Sequence, residues 1–461
     1  MALIKSISGI RGTIGGKPGE GLSPLDIVKF TSAYAEWLKK QSNENLTVVV
    51  GRDARISGLM VENLVISTLT GLGIDVINLG LSTTPTVEIA VPLEHASGGI
   101  ILTASHNPKQ WNALKLLNAK GEFISNNNGL EILEIAERED FNYAEVDDLG
   151  SVSERSDYFD IHIQEILKHE LVDVDAIKNA GFKVAIDAVN STGGIVLPKL
   201  LRALGVNTVF ELFCEPNGQF PHNPEPLPEN LTEISKTVVD NQADIGIVVD
   251  PDVDRLALVC EDGSMFGEEY TLVAVADYIL TQRKGNTVSN MSSTRALRDV
   301  TEKAGGQYFP SAVGEVNVVN QMKAQNAVIG GEGNGGVIFP DLHYGRDALV
   351  GIALILTHMA KTGKSAKTLR NSYPNYHISK NKIELTPEID VDLILEKIEA
   401  KYAHENINTV DGVKIDFAEE WVHLRKSNTE PIIRIYSESA NAEKAEVLAA
   451  KIIGDIKEII A

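Results

Sequence analysis

The sequence predicts a multidomain α/β protein whose sheets are covered by helices, and three observations carry that prediction. At 461 residues the chain is too long for one hydrophobic core, and length alone suggests about three or four domains. Through most of the chain, short β-branched runs alternate with segments of helical apolar spacing. That is the pattern of α/β units whose ligand sites lie at strand C-terminal ends. From residue 380 the grain changes to strand, helix, strands and a final helix.

Residues 46–50 form a β-branched run ending in Gly51-Arg52-Asp53. Ser57 is placed to cap a helix over 61–72 that Gly73 closes. Residues 74–79 read as a strand, Thr84-Pro85-Thr86 opens the next helix with Pro near its first position, and 98–102 is again a strand. A strand pair over 114–123 brings the first unit to its end near residue 140. The acidic and small residues of 145–157 read as a solvated linker. A second unit begins with a helix and the strand 183–186, which runs into Asp187-Ala188-Val189-Asn190-Ser191-Thr192-Gly193-Gly194. Its last strand, 245–249, leads into an aspartate-rich loop. A third unit spans about 255–367, with a helix over 271–282 and glycine-rich turns at 330–336, and the last segment ends in a helix over 442–460. Each of the first three units pairs a strand with a polar loop, which is compatible with a distant internal repeat.

Hydrophobic content of 43% and charged content of 23% describe an ordinary soluble globular chain. A formal net charge of −22 and a pI near 4.9 argue against nucleic acid or an anionic membrane as partner, since both need a basic footprint. A local cluster of Arg and Lys could still serve a small anionic substrate. The two cysteines, Cys214 and Cys260, lack C-x-x-C spacing and are too few for a disulfide framework. Both sit in apolar runs, so buried free thiols are expected. No apolar stretch approaches the roughly 18 residues of a membrane span, and Met-Ala-Leu-Ile-Lys lacks the apolar region of a signal peptide. A cytoplasmic protein is expected.

The most specific chemical signal is Asp250-Pro251-Asp252-Val253-Asp254-Arg255, directly after the apolar run 245–249. Carboxylates at i, i+2 and i+4 leaving a strand can converge on one hard cation, and Mg²⁺ accepts such oxygens while keeping room for a phosphate oxygen. An EF-hand is excluded: loop position 6 is Arg255 where that motif needs Gly, and 256–260 is an apolar strand. A merely solvated acidic turn is disfavoured, because three close carboxylates repel without a cation.

Ser105 lies in Thr103-Ala104-Ser105-His106-Asn107-Pro108, after the strand 98–102. Ser before Asn-Pro is a common turn device, and no Gly-x-Ser-x-Gly elbow surrounds it. Phosphorylated, however, it would carry about −1.5 to −2 charge and three acceptor oxygens, a natural further ligand for a cation held by the aspartates. His106 either contacts that phosphate or packs within its turn. Lys115 is either a phosphate partner and proton donor or an ordinary strand lysine.

Two further loops bear on a phosphosugar. Gly330-Gly331-Glu332-Gly333-Asn334-Gly335-Gly336 offers a carboxylate and an amide that suit vicinal hydroxyls; Glu332 would repel a nucleotide phosphate. Leu424-Arg425-Lys426-Ser427-Asn428-Thr429-Glu430-Pro431 lies between strands at 421–424 and 432–436. Its guanidinium, hydroxyls, amide and backbone N–H groups suit a phosphate monoester, and Arg434 could reach the same anion. A polar hairpin loop with a surface basic pair is the plainer alternative.

Taken in order, Ser8-Gly9-Ile10-Arg11-Gly12, the Ser105 loop, the Asp250 loop, Gly331-Glu332-Gly333-Asn334-Gly335 and Arg425-Lys426-Ser427-Asn428-Thr429-Glu430-Pro431 resemble the α-D-phosphohexomutases, over the whole chain. The resemblance implies three related α/β domains with mixed sheets (1–150, 151–254 and 255–370) and a smaller C-terminal α+β domain (371–461) around a central cleft. It implies Ser105 as the phosphorylated residue, with Asp250, Asp252 and Asp254 holding Mg²⁺ and its phosphate. Arg11, Lys115 and Arg255 would flank the transferring group, with His106 beside it. Glu332 and Asn334 would read sugar hydroxyls, while Arg425, Ser427, Asn428, Thr429 and Arg434 would bind the other phosphate. Two positions depart from the family pattern: Asn334 stands where Ser is usual and Gly336 where His is usual, leaving His343 as a stand-in.

The implied reaction is phosphoryl exchange through a sugar bisphosphate that also primes the enzyme. Such chemistry needs positioning and charge stabilisation above all, with a C-terminal loop closing to exclude water. Lys426 resembles the phosphoglucosamine mutases, so interconversion of glucosamine 6-phosphate and glucosamine 1-phosphate is expected; a phosphoglucomutase/phosphomannomutase is the alternative. A Mg²⁺-dependent phosphatase and a silent sugar-phosphate sensor are the rivals from other classes. The expected partner is a phosphosugar, with no nucleic acid and no membrane, and the chain a monomer or homodimer.

Overall fold

The computed structural model describes residues 2–6, 9–41, 46–384, 389–426 and 432–460. They form two compact units: Met1–Thr271 with Asn334–Leu369, and Leu272–Gly333 with Arg370–Ala461.

Among the described residues, the first unit holds a seven-stranded sheet. Its order is Leu3–Ser6, Gly9–Thr13, Trp111–Leu117, Gly98–Leu102, Thr47–Arg52, Asp75–Leu81, Val152–Glu154. Pairing is antiparallel as far as Gly98–Leu102 and parallel beyond it, so the sheet is mixed. Strand periodicity sends alternate side chains to two cores. Val48, Val50, Ile100 and Leu102 join one with the helices Pro24–Gln41, Gly58–Gly71 and Asn126–Arg138. Val49 and Ile101 join the other with Val87, Ala90 and Val91 of the helix Thr84–Leu93. Both faces are thus covered, as the apolar runs predict.

A second sheet orders Leu256–Cys260, Ile245–Val249, Lys183–Asp187 and Thr208–Leu212, with the first pair antiparallel and the rest parallel. This corrects one expectation. Leu256–Cys260, placed at the start of the third domain, completes the second sheet because the aspartate loop is a short hairpin connection returning antiparallel.

Local corrections have similar causes. The helix expected over 61–72 runs Gly58–Gly71, and Ser57 makes no capping bond; its hydroxyl instead accepts from Asn112 Nδ2 at 3.0 Å. The pair expected over 114–123 is one strand, Trp111–Leu117, with an isolated bridge from Leu117 to Phe123. The 145–157 segment is largely exposed, yet its Val152–Glu154 adds an edge strand. Cys260 is buried, whereas Cys214 is only half-buried; both are free.

In the second unit, Tyr308–Ser311, Asn286–Asn290 and Ala327–Glu332 run parallel. The C-terminal segment folds as a five-stranded antiparallel sheet, His377–Glu384, Ile432–Ser439, Trp421–Lys426, Val413–Asp416, Asn406–Asn408. Ile394 and Ile398 of the helix Val391–Lys401 and Leu448 and Ile452 of Ala442–Ile460 pack with Val422, Leu424, Ile433 and Ile435 in its core. The fold class is α/β with mixed sheets, plus a smaller C-terminal α+β part. Among the described residues no helix is long and apolar enough to cross a membrane.

A buried polar chain ties three helices of the first unit together. Thr86 Oγ1 lies 3.0 Å from His162 Nδ1, and His162 Nε2 lies 3.0 Å from Asp347 Oδ2. His343 reaches Asp347 Oδ2 at 3.4 Å and Glu88 Oε2 at 3.3 Å. Burial would lower the His343 imidazolium, but Asp347 and Glu88 outweigh it and lift its pKa to about 10. An unfolded histidine titrates near about 6.5, so His343 contributes stability that is fully present below that pH and is lost as pH rises through about 10. The expected outcome is a urea midpoint for this chain that falls between pH 6.5 and 10, with His343→Gln flattening that dependence. Parallel pH profiles for the two proteins would contradict it.

Candidate active site

The serine loop is held by a fully buried arginine, Arg55. Arg55 Nε binds Asp53 Oδ2 at 2.9 Å, and Arg55 N binds Asp53 Oδ1 at 2.9 Å. Its Nη1 donates to the carbonyls of Pro108 (2.9 Å) and Trp111 (3.1 Å), and its Nη2 to those of Asn107 (2.7 Å) and Ser105. One side chain thus fastens four carbonyls of the loop and the strand start after it. Asp53 Oδ2 also accepts from Thr103 Oγ1 at 2.6 Å, and Thr103 Oγ1 accepts from Ser105 N at 2.9 Å. The staple holds Ser105 at φ 49°, a left-handed conformation unusual outside glycine.

From that position Ser105 Oγ donates to Asp250 Oδ2 at 2.6 Å. The two loops, 145 residues apart in sequence, therefore meet at the C-terminal ends of Gly98–Leu102 and Ile245–Val249. The aspartate loop is fixed from several directions. Ser191 Oγ and Thr192 Oγ1 donate to Pro251 O at 2.7 and 3.0 Å, Thr84 N donates to Asp252 O at 2.9 Å, and Ala348 N to Val253 O at 3.2 Å. Val253 takes φ 63°, which turns the chain so that all three carboxylates share one side. Their ligand oxygens lie within 4.8 Å of one another, fully buried.

Cations balance that charge. Lys115 Nζ donates to Asp252 Oδ2 at 2.7 Å and Asp254 Oδ2 at 3.4 Å. Arg346 Nη2 donates to Asp254 Oδ2 at 2.6 Å, and Arg255 Nε stands 3.9 Å from Asp254 Oδ1. Burial would raise the Asp254 carboxyl, but Arg346, Lys115 and Arg255 hold it below the usual range. Burial, then Asp254 and Asp252, push the Asp250 carboxyl well up. Burial would lower Lys115, yet Asp252 and Asp254 raise it.

Among the described residues, Asp252 Oδ1 and Asp254 Oδ1 are buried and make no hydrogen bond. An unsatisfied buried carboxylate oxygen is costly, and a hard divalent cation is the partner that such an all-oxygen set fits. The donor set therefore suits Mg²⁺.

Of the expected site residues, Ser105, His106, Arg11, Lys115, Asp250, Asp252, Asp254 and Arg255 lie together in the first unit. Arg11 Nη1 donates to Asn107 Oδ1 at 2.8 Å. His106 Nδ1 is 3.4 Å from Ser105 Oγ, and burial, Arg255 and Arg11 push its pKa down to about 2, so it is neutral. Asn334, also in the first unit, accepts from Gly336 N at 3.2 Å. Glu332, Arg425 and Arg434 belong to the second unit. There Glu332 Oε1 accepts from Asn290 Nδ2 (2.8 Å) and Gly314 N (3.1 Å). The neighbouring Val313 N donates to Asp411 Oδ2 at 2.9 Å, which Arg425 Nε meets at 3.2 Å. The turn at Val313-Gly314 thus joins Glu332 to Arg425. Arg434 pairs in register with Arg425 and with Lys382, setting three cations side by side on one face. Ser427, Asn428 and Thr429 lie outside the described residues. His343 belongs to the Glu88–Asp347 chain.

Sequence reasoning missed Arg55, Thr84, Ser191 and Arg346. Gly51-Arg52-Asp53 and Asp187–Gly194 were visible as polar strand ends, but Arg55 and Arg346 carry no local motif.

Comparison with known proteins accounts for this constellation. Family models of phosphoglucomutase/phosphomannomutase match in order: alpha/beta/alpha domain I over residues 3–143, domain II over 160–263, domain III over 267–376 and the C-terminal domain over 384–454. The chain is thus a phosphohexomutase, an isomerase that belongs to the phosphoglucomutase/phosphomannomutase family. It is 37% identical to the phosphoglucomutase/phosphomannomutase of Thermococcus kodakarensis, over 94% of this chain and 95% of that one. It is 32% identical to a probable phosphoglucosamine mutase of Methanopyrus kandleri, over 98% and 97%. A family protein of Burkholderia thailandensis has a crystal structure similar to this fold, with TM-score 0.84 and 25% identity, covering 99% of this chain and 97% of that one. Probable phosphoglucosamine mutases recur among its relatives, with 34% identity to that of Pyrococcus horikoshii over 98% of this chain and 97% of that one.

Replacing Arg55 with Met leaves Asp53 buried and uncompensated. The expected cost is about 3–5 kcal/mol, as for breaking one side of a buried pair, read by equilibrium urea unfolding. A loss below about 1 kcal/mol would show that the staple is dispensable.

Proposed function

We propose that this phosphohexomutase interconverts glucosamine 6-phosphate and glucosamine 1-phosphate through a phosphorylated Ser105 and a bisphosphorylated sugar. The observation that carries the reading is the Ser105 Oγ–Asp250 Oδ2 contact at 2.6 Å, beside the bare Oδ1 atoms of Asp252 and Asp254. A serine hydroxyl held at an oxygen-only cation site is placed for phosphoryl transfer, not for acyl chemistry. Mg²⁺, held by Asp250, Asp252, Asp254 and a phosphoserine oxygen, would supply charge neutralisation at the transferring group. A solved N-acetylphosphoglucosamine mutase of Aspergillus fumigatus, at 14% identity, is described in complex with GlcNAc-6P and magnesium, and another with glucose 1,6-bisphosphate.

Charge conservation supports the same reading. Asp250, Asp252 and Asp254, with Glu225 at 3.7 Å from Arg255, face Lys115, Arg346, Arg255 and Arg11, so the formal charges of the resting cluster cancel. A divalent cation and a phosphoserine dianion cancel each other, and the pair enters without disturbing that balance. In the transfer, the P–Oγ bond of Ser105 breaks as a bond forms from phosphorus to the sugar hydroxyl oxygen. The sugar hydroxyl's proton is released as the departing Ser105 Oγ takes one up. In the second half Ser105 Oγ gives up its proton as it bonds to the other phosphorus, and the sugar oxygen released there takes one up. Arg11 and Lys115 stand where they would orient the phosphoryl oxygens, and neutral His106 packs against the serine. The sugar bisphosphate turns end for end and primes the serine again.

The row Lys382–Arg434–Arg425, with Asp411 at Arg425 and Glu384 at Lys382, supports a role in holding the non-transferring phosphate together with Ser427, Asn428 and Thr429, because three cations directly opposite one another repel and a further anion would relieve them. Glu332 and Asn334 would read sugar hydroxyls. We assign the phosphoserine loop to the N-terminal domain, the metal loop to the domain that ends after Leu256–Cys260, sugar recognition to the domain that follows it and the distal phosphate to the C-terminal domain, in a cytoplasmic monomer or homodimer. A phosphoglucomutase/phosphomannomutase is the second reading, favoured by the 37% identity to the Thermococcus kodakarensis protein.

Ser105→Ala should lower mutase turnover by at least about a thousandfold, as loss of a nucleophile does, while the chain still folds and unfolds cooperatively. Turnover within tenfold of wild type would remove Ser105 from the reaction. The kcat/KM values for glucosamine, glucose and mannose 1-phosphates, read beside inorganic phosphate release, separate the two sugar readings and the phosphatase. Arg425→Ala should raise KM for the sugar phosphate by about tenfold to a hundredfold, the equivalent of charge-assisted bonds worth about 1.5–3 kcal/mol; an unchanged KM would exclude this arginine from the phosphate site.

A further inference from the structure

Gly336 is a glycine without a backbone reason. Its neighbours Gly331 and Gly335 have φ of 157° and 86°, and the latter's carbonyl accepts from Leu256 N at 3.0 Å. Gly336 is absent from the positive-φ residues and lies in the strand Gly336–Ile338, where any L-residue's backbone would fit. What excludes a side chain is Arg346. A Cβ on Gly336 would overlap Arg346 Cδ and come within 3.1 Å of Arg346 Cγ and Asn334 Oδ1.

The arginine that fills this space is held firmly. Arg346 bridges to Ile338, and the next residue, Asp347, donates its N–H to Val337 O at 2.8 Å. Asp347 caps the helix Ala348–Thr362 through Leu349 N at 2.8 Å. Ala348 N in turn holds Val253 O of the aspartate loop. The arginine is 9% exposed, and its Nη2 ends on Asp254 Oδ2 at 2.6 Å, the oxygen Lys115 also approaches at 3.4 Å. Asp254 Oδ1, the atom left for a cation, sits on the same carboxylate.

We infer that Arg346 is the charge-setting residue of the phosphoryl site: lodged in the space vacated at Gly336, it clamps Asp254 and holds the affinity for a bare divalent cation low, so that cation and phosphoserine bind as a neutral pair. This rests on the phosphoserine reading above. Arg346 acts through Asp254 and is a positioning residue, not one that touches the reacting atoms. Gly336 and Arg346 form a coupled pair, one empty because the other is large. His343, held by Glu88 and Asp347, supports Arg346 through the capping aspartate.

The test is Mn²⁺ binding, with the metal as sole ligand, to the full chain after phosphate removal confirmed by intact mass. Arg346→Ala takes a full charge from beside three carboxylates, and at an effective dielectric near that of protein surfaces this should tighten Mn²⁺ by about tenfold or more. Arg346→Gln, which keeps the methylenes and an N–H donor, should tighten it similarly, and Arg346→Lys should stay within about threefold of wild type. Gly336→Ala should displace Arg346 and tighten Mn²⁺ several-fold, yet change nothing when Arg346 is already Ala, a non-additive cycle. In the same variants kcat should fall while KM for the sugar phosphate moves less than about twofold. Unchanged or weaker Mn²⁺ binding in both the Ala and Gln variants, or equal effects of Gly336→Ala in the two backgrounds, would overturn the inference. Gln and Lys keep the core filled if the Ala variant fails to fold. Retained mutase activity in Ser105→Ala would refute the phosphoserine reading alone, since the Mn²⁺ cycle reads Arg346 without catalysis.

Discussion

Three carboxylates buried within 4.8 Å of one another are the constraint around which the first unit is built. Left alone, such a cluster would shed its charge by protonation or push its loop into water. Both tendencies are opposed, because Lys115 and Arg346 are delivered to Asp252 and Asp254 from other elements, and Ser105 donates to Asp250. Each donor arrives from a different part of the chain. Lys115 comes from the strand paired to Gly98–Leu102, Arg346 from the segment before the helix Ala348–Thr362, and Ser105 from the loop that Arg55 fastens. Much of this unit's topology serves to bring those donors to one hairpin.

The serine loop shows how a short segment keeps an uncommon conformation. A non-glycine residue in the left-handed region costs of order 1–3 kcal/mol, and Ser105 is not alone, since Val253 across the site is also left-handed. Both are paid for by bonds to fixed groups: the Ser105 and Asn107 carbonyls by Arg55, the Val253 carbonyl by Ala348 N. Strain at the two ends of the reacting pair is therefore borne by scaffold on either side, and neither loop needs substrate to hold its shape.

What the sequence made legible follows from range. The strand-end loops were readable because their chemistry is local: Asp250, Asp252 and Asp254 alternate along one hairpin, and Ser105 directly follows an apolar strand. Arg55 was not, because its donors go to main-chain carbonyls of residues 105, 107, 108 and 111, and every sequence has carbonyls there. Ser57 had the composition of a cap, but its hydroxyl is taken by Asn112, a tertiary bond that helix-local reasoning cannot contain. The boundary at residue 254 failed for a related reason. A motif ends where its ligands end, whereas a sheet ends where its pairing does, and Leu256–Cys260 still pairs with Ile245–Val249.

The near-neutral resting cluster bears on how the site discriminates among anions and cations. Had the triad lacked its lysine and arginines, it would take up a divalent cation strongly and reject a phosphate dianion until that cation arrived. Had it carried one more buried cation, a free phosphate would bind the unphosphorylated serine loop and block it. Balance between these extremes makes the favourable occupant a matched pair, a cation with a dianion covalently held at Ser105 or presented by a sugar. A phosphoryl group leaving for water would break that pairing and leave the cation facing a site whose own charges are already spent. On the phosphoserine reading proposed above, retaining the group on one of two oxygens, serine or sugar, would keep the charge matched at every stage, and this electrostatic closure would favour exchange over hydrolysis.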